Sequence, residues 1–228
     1  MKKLLLVFLS LICTFLLLPE ENSYAKSAPF KGYIALTFDD GPGAGTASIL
    51  RTLGQQKIPA TFFMVGQSSK QYPQLARQVA LHGHEIGHHT YSHANLTSIT
   101  QSRIKTQINS GYYTVKKYAG KAPTVFRPPY GNFNYSTLKY SKVPVILWNV
   151  DTLDWKVPTA ASMNMYINQQ VRPGSIILMH DSHATTANNL PAVIYNLRAQ
   201  GYRFTTVSHL LHLNKHSKRG PYYGNYSA

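Results

Sequence analysis

The 228-residue sequence predicts an α/β fold built on a mainly parallel sheet. Short apolar runs rich in β-branched and aromatic residues alternate with longer segments of helical period. Several helical segments end in glycine just before the next apolar run, at Gly83, Gly120, Gly174 and Gly201. Repeated strand–helix alternation indicates parallel strands. Seven strands at this spacing suit a closed or nearly closed barrel, and an open doubly wound sheet is the alternative.

The predicted elements follow one another along one domain, residues 26–213. Strands are predicted over 33–38, 60–65, 85–88, 125–127, 144–150, 175–180 and 203–207. Helices are predicted over 46–56, 73–82, 100–119, 159–170 and 188–200. The helix over 100–119 has the clearest pattern, because its apolar residues form a single stripe: Ile104, Ile108, Tyr112, Val115 and Ala119.

The two ends of the chain differ from this domain. Two lysines, an apolar run over 4–18 and small residues at Ser23 and Ala25 predict a secretory signal peptide over residues 1–25, with an uncleaved anchor as the alternative. The single cysteine, Cys13, lies inside it, so the mature chain is expected to have no disulfides. The basic, Tyr- and Gly-rich tail over 214–228 has no apolar period and is expected to be disordered.

The formal net charge is +15, and it does not change when residues 1–25 are removed, because two Lys and two Glu leave together. A basic secreted protein is expected to associate with anionic cell-wall polymers, although the charge could also serve solubility alone. Secretion makes nucleic acid an unexpected partner. No stable membrane insertion is expected once the signal is cleaved, and the protein is expected to be extracellular or wall-associated.

The acidic residues are few and grouped. The chain has eight Asp and Glu residues, of which Glu20 and Glu21 lie in the predicted signal. The other six stand outside the predicted helices, in short clusters rich in His, Gly, Pro or Trp: Asp39, Asp40, Glu85, Asp151, Asp154 and Asp181. Acids that serve solubility would be scattered over exposed faces. This grouping indicates that the carboxylates serve chemistry.

The first two clusters indicate a metal site. Asp39 and Asp40 follow an apolar strand directly, and two adjacent carboxylates are costly to bury unless a cation lies beside them; a simple turn is the alternative. His89 and His93 are four residues apart and can face one point if the segment turns helically. Two imidazoles and one carboxylate suit zinc or a similar ion and leave positions open for water and substrate. Strand alternation is expected to point His88 away.

Three later clusters supply groups of other kinds. Pro128 and Pro129 fix a rigid turn after Arg127, and such a turn can aim a backbone N–H at a developing oxyanion. His180 ends a predicted buried strand and, with a carboxylate partner, can act as a general acid. Trp155 could wall a sugar pocket or belong to the core.

The five clusters, in this order, resemble the polysaccharide deacetylases of carbohydrate esterase family four, also called the NodB-homology domain. Within that family the chain is similar to bacterial peptidoglycan N-acetylglucosamine deacetylases. The resemblance runs from about residue 33 to residue 211. It implies a distorted (β/α) barrel with about seven parallel strands.

The resemblance also implies a role for each matching residue. The metal ligands would be Asp40, His89 and His93, holding zinc, or else cobalt or manganese. The catalytic base would be Asp39, positioned by Arg127, and the general acid would be His180, tuned by Asp154. The substrate-binding residues would be Tyr130, through its backbone N–H, and Trp155 and Leu178, which would line the acetyl pocket. One departure is His88, where the family commonly has Asn.

The implied reaction is metal-dependent hydrolysis of N-acetyl groups on an extracellular polysaccharide, with release of acetate. N-acetylglucosamine in peptidoglycan suits a secreted, basic, single-domain protein. Chitin oligomers and acetylated exopolysaccharide are close alternatives, and acetylxylan is a more distant one. An inactive glycan-binding module is a hypothesis of another class, and such a module would have lost part of the metal site or the acid.

Overall fold

The computed structural model describes residues 28–157 and 159–224, so the predicted signal peptide over 1–25 lies outside the described residues. Seven strands occur: β1 (Gly32–Asp39), β2 (Thr61–Met64), β3 (Glu85–His88), β4 (Val125–Phe126), β5 (Val150–Asp151), β6 (Ile176–His180) and β7 (Tyr202–Thr205). Eight α-helices accompany them: α1 (Thr46–Gln56), α2 (Gly66–Gln71), α3 (Pro73–Leu81), α4 (Gln101–Ala119), α5 (Tyr135–Tyr140), α6 (Ala160–Gln170), α7 (Ala184–Ala199) and α8 (Val207–Leu210). Within these ranges no helix is both long and apolar enough to span a bilayer.

All seven strands are parallel, and β1 is the centre of the sheet. The strand order is β4-β3-β2-β1-β6-β5. Along the side of β1 away from β6, the first half of the strand pairs with β7 and the second half with β2. The prediction of an α/β fold with seven parallel strands is confirmed.

One chain segment nearly joins the two ends of this strand order. Val145 forms a bridge with Phe126 of β4, and farther along the same segment β5 pairs with β6. The predicted strand over 144–150 is therefore wrong as a continuous strand. The pairing is interrupted between Ile146 and β5, where the carbonyls of Ile146 and Leu147 accept hydrogen bonds from the Arg127 side chain. The result is a distorted barrel whose hydrogen-bonded ring is incomplete at this segment.

The predicted helices are found as α1, α3, α4, α6 and α7, with small shifts at their ends. Thr100 caps α4 by accepting the Arg103 N–H, and Gly120 ends it with φ 69°, a conformation that glycine adopts without strain. The short helices α2, α5 and α8 were not predicted, because four to six mostly polar residues show no helical apolar period. The strand predicted to Val207 ends at Thr205, because the Thr206 side chain caps α8.

The side chains of β1 alternate between two environments. Ile34, Leu36 and Phe38 are fully buried against the helices that surround the sheet. Thr37 and Asp39 point to the other face, where the fully buried Arg127 donates hydrogen bonds to both. This alternation follows from the two-residue repeat of a strand. It places a carboxylate inside the barrel at the C-terminal end of its central strand.

The expected disorder of the tail is wrong for residues 214–224. The Arg219 carbonyl accepts the Val145 N–H, and the Tyr222 backbone exchanges hydrogen bonds with Val145 and Leu147. The Tyr222 ring also packs on the interior cluster that includes Ile146. These contacts fill the gap in the strand order. These contacts consist of backbone hydrogen bonds and one aromatic ring, and such contacts leave no periodic pattern in the sequence. Residues 225–228 lie outside the described range.

We expect Tyr222→Ala to lower the free energy of unfolding by about 1–3 kcal/mol, since a partly buried aromatic ring is removed. The matched control is Tyr223→Ala, whose ring is 44% exposed, and its effect is expected to stay within about 0.5 kcal/mol. Urea denaturation followed by circular dichroism measures both. Equal effects of the two variants would contradict the ordered tail.

Candidate functional site

The polar clusters meet in one pocket at the C-terminal ends of the strands. Its volume is about 530 Å³. The lining residues include eight of the predicted site residues: Asp39, Asp40, His89, His93, Tyr130, Trp155, Leu178 and His180. The other two predicted residues, Arg127 and Asp154, are buried behind Asp39 and His180.

Asp40, His89 and His93 form a group that can hold a metal ion. Their ligand atoms all lie within 4.8 Å of one another. The Oδ1 atom of Asp40 is 3.1 Å from Nε2 of His93 and 3.5 Å from Nε2 of His89. Asp40 and His93 both have positive φ, 72° and 57°, which non-glycine residues rarely adopt. This strained backbone aims the two side chains at one point.

The surroundings of these three residues fit a bound cation. Nδ1 of His89 lies 2.6 Å from the Arg127 carbonyl, so this nitrogen carries the proton and Nε2 is left as a lone-pair donor. Burial lowers the pKa of His89, against the opposing charges of Asp39 and Asp40, and keeps the imidazole neutral. Oδ1 of Asp40 is buried and has no hydrogen-bond partner within the described residues. A divalent ion would satisfy this oxygen and both imidazoles.

Asp39 is held by a buried ion pair. Nη1 of Arg127 donates to Oδ1 of Asp39 at 2.8 Å. The other carboxylate oxygen, Oδ2, is 3.8 Å from Nε2 of His89. The guanidinium itself is fixed by Thr37 and by two backbone carbonyls, and it lies 4.1 Å from the centre of the Phe63 ring. One oxygen of Asp39 is thereby held by a hydrogen bond, and the other lies near His89 of the possible metal site.

His180 lies on the opposite wall and is paired with Asp154. Nδ1 of His180 is 2.8 Å from one oxygen of Asp154, while the other oxygen accepts the His180 backbone N–H and the Thr186 hydroxyl. Burial alone would lower the pKa of His180. The hydrogen bond and charge of Asp154, with the charges of Asp39 and Asp40, outweigh burial and raise it to about 9. His180 is therefore protonated at neutral pH.

The rest of the pocket is formed by aromatic and apolar groups. Tyr130 lies in a 3-10 turn, Pro129–Gly131, with φ 60°. The centres of its ring and the His93 ring are 4.8 Å apart, and the two rings are steeply inclined to each other. Trp155 is 56% exposed at the rim, whereas Leu178 is buried at 4%. Both line the pocket.

Three lining residues were not predicted as site residues: Trp148, Asp151 and His183. Asp151 is the last residue of β5, as Asp39 is of β1 and His180 is of β6. Trp148 belongs to the broken strand, so its placement depends on a distortion that no sequence pattern shows. His88 points away, as alternation predicted, and its ring stacks on Phe126 at 4.4 Å.

Asp181 supports the loop that carries Asp40. Its buried carboxylate accepts the Thr46 hydroxyl at 2.5 Å, and its carbonyl accepts the Gly45 N–H at 3.0 Å. A Cβ atom on Gly41 would lie only 2.1 Å from the Asp181 carboxylate oxygens. The glycine after the two aspartates is therefore required by packing. Burial, which outweighs the Thr46 hydrogen bond, raises the pKa of Asp181 to about 7.

Comparison with known proteins agrees with this geometry. Residues 26–143 match the polysaccharide deacetylase family. The peptidoglycan-N-acetylglucosamine deacetylase of Bacillus cereus is 35% identical over 208 residues, covering 87% of this chain and 76% of the relative. The peptidoglycan-N-acetylmuramic acid deacetylase PdaC of Bacillus subtilis is 37% identical over 87% of this chain and 42% of the relative, so the chain spans less than half of that protein.

A solved structure of peptidoglycan deacetylase PdaC from Bacillus subtilis superimposes with a TM-score of 0.75 at 38% identity, covering 80% of this chain and 91% of the solved one. The similarity therefore extends past residue 143, over the part of the chain that supplies the Asp154–His180 pair. Family match, relatives and fold all agree. The chain belongs to the polysaccharide deacetylase family.

Proposed function

We propose that this protein removes N-acetyl groups from N-acetylglucosamine residues of peptidoglycan and releases acetate. The observation that carries the proposal is the two-sided pocket. A carboxylate held by buried Arg127 stands beside a three-ligand group on one wall, and a protonated histidine backed by Asp154 stands on the other. Hydrolysis of an amide requires a base for water and an acid for the departing amine, and the two walls supply them.

Asp39 is the proposed base. Its Oδ1 atom is occupied by Arg127, so Oδ2 is the oxygen that takes the proton from the attacking water.

Asp40, His89 and His93 would hold the divalent ion, which supplies Lewis-acid polarisation of the carbonyl and acidifies water when bound. Zinc suits this His2Asp set, and cobalt or manganese are alternatives. The backbone N–H of Tyr130 is the proposed oxyanion donor, on the turn that the two prolines make rigid.

His180 is the proposed general acid. Its Nδ1 is engaged with Asp154, so the proton at Nε2 is the one available to the leaving amine. An unprotonated amine is a poor leaving group, and the raised pKa of His180 keeps this proton in place at neutral pH. Trp155 and Leu178 would bracket the acetyl methyl group, because both line the same pocket as His180.

The sugar is proposed from the relatives and the chain's charge. The Bacillus cereus relative is named for N-acetylglucosamine and the Bacillus subtilis relative for N-acetylmuramic acid, both in peptidoglycan. Chitin oligomers, acetylated exopolysaccharide and acetylxylan remain alternatives of the same chemistry. An inactive glycan-binding module is disfavoured, since every group the reaction requires is in place. A location outside the cell, or bound to the wall, is proposed from the substrate and from residues 1–25.

We expect acetate release from purified peptidoglycan to exceed release from chitin oligomers and from acetylxylan when all three are assayed side by side. A chelator should abolish the activity, and zinc, cobalt or manganese added back should restore it. The control is enzyme treated with chelator that has already been saturated with the same ion. No acetate from any of the three polymers, with metal supplied, would refute a deacetylase.

We expect Asp39→Asn to lower kcat by about 10²–10⁴-fold, because the amide cannot accept the proton of water. The ligands are untouched, so the variant should bind one divalent ion per chain as the parent does, measured by titration calorimetry. Asp40→Asn is the contrasting variant and should lose both activity and metal. Wild-type kcat in Asp39→Asn would exclude Asp39 as the base.

We expect Asp154→Asn to move the alkaline limb of the kcat–pH profile to lower pH. Asp154 raises the pKa of His180, so its removal lowers that pKa, and the acid form is then lost as pH rises through the lower value. The loss of kcat should be about tenfold greater near pH 8 than near pH 6. Asp151→Asn removes a pocket carboxylate that forms no hydrogen bond with His180 and interacts with it only through charge, so its alkaline limb should move less than that of Asp154→Asn. An unshifted limb in Asp154→Asn would contradict the assignment.

A further inference from the structure

The outer surface of the described chain carries cations without matching anions. Four of its six carboxylates are buried: Asp39, Glu85, Asp154 and Asp181. The remaining two, Asp40 and Asp151, line the active-site pocket. Every ion pair within residues 28–157 and 159–224 involves Asp39, Asp40 or Asp154. The exposed lysines and arginines of this part of the chain therefore have no acidic side chain as a partner.

One groove gathers such cations together with aromatic rings. It lies between α2 and α4, has a volume of about 610 Å³, and is lined by Lys70, Tyr91, Tyr113, Lys117 and Tyr118, which we call the α2–α4 groove. Both lysines are exposed, and the Tyr113 ring is 56% exposed. Nζ of Lys117 lies 5.4 Å from the Tyr118 ring centre. Tyrosine rings offer flat apolar faces with a polar edge, and the lysines offer charge.

The α2–α4 groove adjoins the proposed metal site. Tyr91 lies in the loop between His89 and His93. The backbone N–H groups of Tyr91 and Ser92 donate to the side chain of Gln107 on α4. The loop with the two histidines and the helix that forms one wall of the groove are thus joined by hydrogen bonds. The proposed metal site and the groove therefore share one structural element, the loop over residues 89–93.

We propose that the α2–α4 groove binds a carboxylate-bearing stretch of the same polysaccharide whose sugar occupies the active site. The proposal rests on the proposed function, because peptidoglycan is a glycan with peptide carboxylates at short intervals. Two lysines without acidic partners match those carboxylates in charge. The groove would therefore select anionic wall polymer over neutral glycans of the same sugar, and would act on KM more than on kcat.

The test compares Lys70→Gln/Lys117→Gln with the parent on three substrates: peptidoglycan, peptidoglycan with its peptide carboxylates amidated, and neutral N-acetylglucosamine oligomers. We expect KM for native peptidoglycan to rise about two- to tenfold, as for the loss of two exposed ion pairs, with kcat unchanged. KM for the amidated polymer and the oligomers should not change. Added salt should raise KM of the parent more steeply than that of the variant.

The matched control is Lys215→Gln/Lys218→Gln, which removes the same charge from exposed positions outside the groove. An equal rise in KM for this control would assign the effect to net charge and overturn the proposal. So would an equal rise on neutral oligomers, or no rise at all. Inhibition by a soluble polyol phosphate that the groove variant abolishes, without a change in KM for peptidoglycan, would assign the groove to another polymer. Absence of acetate from every substrate would instead refute the proposed function.

Discussion

The buried guanidinium of Arg127 is the group on which the rest of the site depends. Its side chain binds Asp39 and Thr37 of β1 and the carbonyls of Ile146 and Leu147. Its own carbonyl fixes the ring of His89. One residue thus orients the proposed base, a proposed ligand and the break in the strand order. Removing one partner of a buried ion pair leaves the other charge unpaired and lowers the free energy of unfolding by about 3–5 kcal/mol. We therefore expect a change at Arg127 to disturb the base, the ligand and the strand segment together.

Two carboxylate–cation pairs give the two walls of the pocket different chemistry. Arg127 is permanently charged and occupies one oxygen of Asp39, which leaves the other oxygen for the proposed role as base. His180 is a cation that can give its proton up, and Asp154 raises its pKa to make it a stable acid. The same pairing of opposite charges therefore suits the proposed base on one wall and the proposed acid on the other. The difference lies in which partner can change its protonation state.

The distorted barrel and its tail are coupled through the same broken strand. Ile146 and Leu147 turn their carbonyls to Arg127, and the strand pairing that Val145 and Ile146 make is not continued to β5. Tyr222 then pairs with Val145 and Leu147 and covers the gap. Trp148 reaches the pocket from this segment and lies 5.5 Å from the guanidinium. A buried charge at the centre thus accounts for an irregularity that extends to the C-terminal residues of the described chain.

The sequence by itself determined the parallel α/β class and the strand ends at which Asp39, His89 and His180 stand, because strand and helix periods and polar clusters are local patterns. It also placed ligand-type residues at a usable spacing. Only the tertiary structure decided that the strand over 144–150 breaks, that the tail is ordered as far as residue 224, and that Trp148 enters the pocket. Each of these follows from hydrogen bonds between residues far apart in the chain, and such contacts leave no periodic pattern to read.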